Sequence, residues 1–178
     1  LSWWTRPPPA DITIIAIDDV SIAAIGRWPW PRKVHATLLD KLAAAAPRAV
    51  LLDLLLSEPD PQAASDALLA RAMREIAPLV LPVPWLTVNG RLLRWLEPAP
   101  PYAGIARLAG AETTPDADGV VRHVFLRAGA AGQMRPHGAL ALLEAGGERM
   151  SPRLQHESGS DTAAPGSWER DQRLLLRY

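Results

Sequence analysis

Ala49-Val50-Leu51-Leu52-Asp53 is a short apolar run that ends in an acid. A continuous apolar run of this length predicts a strand that is buried on both faces. It lies between two segments whose apolar residues recur at helical spacing, residues 35–46 and a segment that Ser65 begins as N-cap. A proline follows each segment, Pro47 and Pro78, and ends the helix.

Two more strands complete the pattern. Residues 12–17, Ile-Thr-Ile-Ile-Ala-Ile, are uncharged and rich in β-branched side chains, and they predict a buried strand, as do residues 79–83. A short helix over 20–25, with Asp19 as its N-cap and Gly26 as its C-cap, follows the first strand. The order β-α-β-α-β is typical of a parallel sheet covered by helices.

The second half of the chain predicts antiparallel additions. Asn-Gly at residues 89–90 lies between two apolar segments and indicates a hairpin. We expect a short helix over 101–110, and a turn at 118–119 that leads into a strand over 120–126. A helix over 136–146 begins with proline and ends with glycine. The predicted fold is therefore α/β, with a mixed sheet whose N-terminal half is parallel and flanked by helices.

The composition is that of a globular protein. Hydrophobic residues make up 48% of the chain, and 19 basic and 19 acidic residues give a net charge of +0. These values exclude a disordered chain and give no basic surface for nucleic acid. The absence of cysteine excludes disulfide scaffolds, thiolate metal sites and cysteine nucleophiles. We expect no cofactor, no bound metal and no catalytic residue.

The two ends of the chain carry signals of their own. Residues 1–10 contain Trp3 and Trp4, then three prolines, which is typical of a stiff spacer beside the headgroups of a membrane. A trimmed loop with two core-packing indoles is the alternative. Residues 147–172 are polar and aperiodic and predict a mobile loop within a single domain over 11–178. Residues 173–178 predict a strand. We expect that the domain is truncated after this strand.

Three aspartates follow the first two predicted strands. Asp18 and Asp19 come directly after the first strand, and Asp53 ends the second. Because ligands bind at the carboxyl ends of parallel strands, these carboxylates could gather at one rim. Neighbouring carboxylates repel unless a cation, a proton or an arginine lies between them. The sequence therefore leaves open a metal site or an arginine-bridged network.

A tryptophan-proline block lies between the first two predicted helices. Residues 26–32 spell Gly-Arg-Trp-Pro-Trp-Pro-Arg. Two indoles held by prolines, with Arg27 and Arg32 able to stack on them, could form the wall of a ligand site. The alternative is a structural plug in which either arginine pairs with Asp18 or Asp53. The four histidines lack metal-ligand spacing, and we expect each at the surface or at a helix cap.

Together these residues resemble the CHASE2 domain family, over about residues 5 to 146. The resemblance is carried by residues 11–19, 26–32, His35, 49–53, Pro82 and 116–122. It implies an extracytoplasmic sensor domain of a bacterial membrane receptor, with transmembrane helices on both sides and sheet that continues beyond residue 178. The outputs it implies are histidine kinases, Ser/Thr kinases, nucleotide cyclases or diguanylate cyclases, and the family ligand is not established.

The resemblance predicts a periplasmic or extracellular sensory domain that is not an enzyme and that forms a homodimer in the full protein. Its ligand would be a small molecule or an envelope component, and its other partner the membrane. Two alternatives remain open: a metal-dependent hydrolase or phosphotransfer domain built on the aspartates, and an interaction domain without a ligand. The candidate ligand-binding residues are Asp18, Asp19, Arg27, Trp28, Trp30, Arg32 and Asp53.

Overall fold

The computed structural model of the chain describes residues 10–76, 78–88, 91–113, 115–130, 133–150 and 168–175. Within these ranges the helices are α1 (Asp19–Ile25), α2 (Arg32–Ala44), α3 (Ala63–Glu75) and α4 (Gly138–Ala145), with a 3-10 turn at Pro100–Tyr102. The strands are β1 (Val50–Leu51), β2 (Leu79–Val83), β3 (Trp85–Val88), β4 (Arg91–Trp95), β5 (Arg107–Gly110), β6 (His123–Ala130), β7 (Arg135–Pro136) and β8 (Trp168–Leu175). No helix among the described residues is long and apolar enough to cross a membrane.

The strands form one parallel and two antiparallel sheets. β1, β2 and β5 are parallel in the order β1-β2-β5, and β3 pairs with β4 as a hairpin. β7, β6 and β8 form an antiparallel sheet, which a single bridge between Gly110 and His137 joins to β5. The predicted fold class, a mixed α/β domain with a parallel sheet and antiparallel additions, is confirmed.

The main core lies between the parallel sheet and helices α2 and α3. Leu39 of α2, Leu69 of α3 and Leu81 of β2 are fully buried there. The segment after β1 alternates, with Leu52, Leu54 and Leu56 in this core and the residues between them exposed. Helix α4 packs on the opposite face of the parallel sheet, against Val80 of β2 and Ala109 of β5. The helical spacing and the prolines thus placed α2 and α3 correctly to within a few residues.

Residues 12–17 do not form the predicted buried strand. They have no regular secondary structure, and their four isoleucines are exposed. Their composition favours a strand, but a strand also needs an edge to pair with, and composition does not supply one. The N-cap of α1 is Asp18 rather than Asp19, because the Asp18 carboxylate accepts the Ser21 amide at 2.8 Å.

Two further predictions in the second half are wrong. The expected helix over 101–110 is one 3-10 turn followed by β5, because the chain from Arg107 onward pairs in parallel with β2. Residues 168–172 of the expected loop belong to β8, whose backbone pairs antiparallel with β6. The predictions for residues 1–9, for the turn at 89–90 and for 151–167 and 176–178 lie outside the described residues.

Candidate functional site

The tryptophan-proline block forms the loop between α1 and α2. It starts at Gly26, whose φ of 121° is in the region that favours glycine, and it contains a cis peptide bond between Trp28 and Pro29. The Trp30 indole N–H donates to the Gly26 carbonyl at 2.8 Å, which closes the loop on itself. Trp30 is only 7% exposed, whereas Trp28 is 39% exposed. The loop therefore has a buried indole and an accessible one.

The two indoles pack with His35, which lies in the first turns of α2. The ring centroids of Trp28 and Trp30 are 5.5 Å apart in an edge-to-face arrangement, and His35 lies 5.7 Å from Trp28 and 6.0 Å from Trp30. His35 is 2% exposed, so its predicted place at the surface or at a helix cap is wrong. Burial, and then the positive charge of Arg32, lower the pKa of His35.

Arg32 attaches the loop to the rest of the domain. Its Nε lies 4.0 Å from Oδ1 of Asp66, a buried acid of α3. Its Nη2 donates to the Glu58 carbonyl at 3.3 Å, and its backbone N–H donates to the Asp60 carboxylate at 3.4 Å. The partner of Arg32 is therefore an acid of α3, and the alternative that paired it with Asp18 or Asp53 is wrong.

Asp66 is 3% exposed and its carboxylate is shared by several groups. The Tyr102 hydroxyl donates to Oδ1, and the Asp60 N–H donates to Oδ2 at 2.9 Å. Burial, followed by the hydrogen bond to Asp66 and the charge of that carboxylate, raises the pKa of Tyr102, so the phenol keeps its proton at neutral pH. Arg32, Asp60, Asp66 and Tyr102 are hereafter the Asp66 network.

The remaining predicted site residues lie apart from this network. Asp18 caps α1, and the hydrogen bond from the Ser21 amide lowers the pKa of its carboxyl. Asp19 is in the first turn of the same helix, and Arg27 and Asp53 are exposed. Among the residues that the structure describes, no group of three or more histidine, aspartate and glutamate side chains is placed to hold a metal ion. The metal site on Asp18, Asp19 and Asp53 that the sequence left open therefore has no such group behind it in the described part of the chain.

Sequence reasoning missed His35, Asp60, Asp66 and Tyr102. A signal was available for one of them, since Asp66 precedes Leu69 by three residues and therefore shares the apolar face of α3. An acid on a core-facing stripe needs a buried partner. No comparable pattern marks Tyr102, which reaches Asp66 from 36 residues away in the sequence.

Comparison with known protein families gives a match over the full length of the chain. The CHASE2 domain family matches residues 1–178, the whole chain. The chain belongs to the CHASE2 family. The match confirms the resemblance and extends it beyond residues 5–146. CHASE2 domains are extracytoplasmic sensory domains rather than catalytic ones. No curated protein and no solved structure matches the chain.

The two indoles of the CHASE2 domain should differ in their contribution to stability. Trp30→Ala removes a buried side chain and should lower the free energy of unfolding by about 3–5 kcal/mol. Trp28→Ala, its matched control in the same loop, should cost clearly less because Trp28 is partly exposed. Urea denaturation of both variants measures the difference, and an equal or larger loss for Trp28→Ala would contradict the described packing.

Acidification should destabilise the domain through His35. Its pKa is lowered in the folded state, so the unfolded state binds the proton more readily. The stabilising contribution is complete above the ordinary pKa of 6.5 and is lost as the pH falls from there toward the lower, folded pKa. His137, whose pKa burial also lowers, acts in the same direction.

The test compares urea denaturation of the unmodified chain and of His35→Phe at pH 7.5 and pH 5. The phenylalanine keeps an aromatic ring but cannot be protonated, so the drop in stability between the two pH values should become smaller. A drop of unchanged size would contradict the role given to His35.

Proposed function

We propose that this CHASE2 domain is the signal-input domain of a bacterial transmembrane receptor, located in the periplasm or outside the cell. Family membership over residues 1–178 supports a sensory role in general. We further propose that flanking transmembrane helices anchor it in the inner or plasma membrane and that the full protein is a homodimer. The output domain of the receptor would be a histidine kinase, a Ser/Thr kinase, an adenylate or guanylate cyclase, or a diguanylate cyclase.

The observation that carries this proposal is the division of the tryptophan-proline loop into an accessible and an anchored part. Arg27 and Trp28 are exposed to solvent, so they can contact a small molecule or an envelope component. A guanidinium beside an indole suits a planar or anionic group. Trp30 and Arg32 do not contact the ligand in this proposal, but hold the loop against the core.

The same loop offers a route for the signal. Trp28 touches the ring of His35, and His35 and Arg32 both belong to α2. A ligand that binds Trp28 more tightly in one position of the loop would favour the matching position of α2. The size of the response depends on the difference in affinity between the two positions, not on the affinity itself.

An interaction domain without a small-molecule ligand is the second candidate function. Trp30 and His35 are buried against each other, so the inner part of the loop is closed. A cavity of about 350 Å³ lies elsewhere, at the amino end of β2, and is lined by Met73, Arg74, Ile76, Pro78, Leu79 and Ile105. In this alternative the exposed Trp28 contacts a protein surface instead of a small molecule.

The location is tested by labelling the full-length protein in intact cells. A single cysteine introduced as Arg27→Cys should react with a membrane-impermeant maleimide, because residue 27 is exposed and we place it outside the cytoplasm. Ala72→Cys is the control, since Ala72 is buried and should react only after unfolding. Reaction of Arg27→Cys only after cell lysis would overturn the proposed location and with it the proposed function.

A further inference from the structure

Among the residues that the structure describes, the parallel sheet has an open edge at β1. Within this part of the chain β1 pairs with β2 alone, because it is the first strand in the order β1-β2-β5. The amides of Val50 and Leu52 donate toward β2 at 3.0 Å each. Backbone groups alternate along a parallel strand, so those of Leu51 and Asp53 are directed to the opposite, open edge. An open edge of this kind can accept another strand.

An apolar segment without strand pairing belongs to the same chain. Residues 12–17, here named the strap, have strongly β-favouring side chains, yet Ile14 is 86% exposed. Leu51 and Leu55, on the face of the β1 segment that turns away from the main core, are exposed as well. Joining the strap to this edge would remove apolar surface from water on both partners.

An ion pair places the start of the strap beside the start of β1. Oδ2 of Asp11 lies 3.7 Å from Nη2 of Arg48. If both segments run in the same direction from this pair, Ile14 lies opposite Leu51 and Ala16 lies opposite Asp53. The chain between the two segments contains α1 and α2, which is long enough for the crossover that a parallel pair requires.

We propose that the strap docks on the open edge of β1 as a fourth parallel strand, and that the exposed arrangement described above is its undocked form. Its isoleucines alternate onto both faces of the sheet, as in strands of parallel sheets. The strap of the same chain is the occupant, because the ion pair between Asp11 and Arg48 already holds it there.

Docking would fix the strap, residues 12–17, to the sheet. In the proposed receptor the strap follows residues 1–10, so a change between its docked and undocked forms would transmit a signal between those residues and the sheet. That consequence rests on the proposed function. The docking itself does not, and it is tested below on the 178-residue chain without reference to membrane location.

The absence of native cysteine allows a crosslinking test. In the Ala16→Cys/Asp53→Cys variant, docking places both thiols on one face of adjacent strands, and mild oxidation with diamide should join them within one monomer. In the control variant, Ile15→Cys/Asp53→Cys, the alternation of side chains places the thiols on opposite faces. The control should therefore crosslink at least about tenfold more slowly.

Intact mass spectrometry and a non-reducing gel distinguish the outcomes. A crosslinked monomer in the first variant and little crosslinking in the control support docking. Equal rates in the two variants, no crosslink, or a covalent dimer, in which a second copy supplies the strap, would each overturn the proposal.

Hydrogen exchange of the unmodified chain gives an independent test that needs no substitution. The amides of Thr13, Ile15 and Ile17 should exchange at least about 100-fold more slowly than those of an unstructured peptide of the same sequence, because in the proposed register these alternate amides face β1 and gain carbonyl partners. Exchange at the rate of the free peptide would overturn the proposal.

Discussion

The buried carboxylate of Asp66 is the constraint on which the arrangement of this domain depends. A carboxylate removed from water is costly unless charged or hydrogen-bonding groups surround it. Here those groups are the Tyr102 hydroxyl, the Asp60 amide and the guanidinium of Arg32. They come from the 3-10 turn, from the segment after β1 and from α2, so one side chain of α3 fixes three separate parts of the chain.

The Asp66 network holds the tryptophan-proline loop in position. Arg32 is the first residue of α2 and directly follows the loop. The indole N–H of Trp30 donates a hydrogen bond to the carbonyl of Gly26, the first residue of the loop. His35 of α2 then packs against both indoles of the loop. The outcome is a loop whose inner side is held by buried polar and aromatic contacts while Trp28 remains accessible. This combination of a fixed base and an exposed indole is the basis of the sensory role that we propose.

Local patterns predicted the helices better than the strands. Helices α2 and α3 follow from apolar spacing and from the prolines after them, and the hairpin of β3 and β4 follows from the two apolar segments around Asn-Gly. Residues 173–175 of β8 were predicted as strand, but its polar start at 168–172 was missed, because its strand partner β6 is distant in sequence. For the same reason the composition of the strap predicts a strand but does not identify the edge that would accept it, and the structure shows residues 12–17 without strand pairing.

The sequence singled out the tryptophan-proline loop but not the acid that anchors it. The unusual spacing of Trp28, Trp30 and Arg32 identified the loop, but the acid that anchors it was assigned to the wrong aspartates. The prediction relied on the rule that ligands bind at the carboxyl ends of parallel strands. It did not use the presence of an acid within the apolar stripe of α3, which needs a buried partner. Tyr102 could not be found, because a single tyrosine after two prolines carries no local sign of its buried partner.

A double-mutant cycle on Asp66 and Tyr102 tests the central claim most directly. The free energy of unfolding is measured for Asp66→Asn, for Tyr102→Phe and for the double variant. If the carboxylate is the shared anchor, the double variant should lose less stability than the sum of the two single losses, by about 0.5–3 kcal/mol. Additive losses would mean that the two side chains stabilise the domain independently, and would contradict the account.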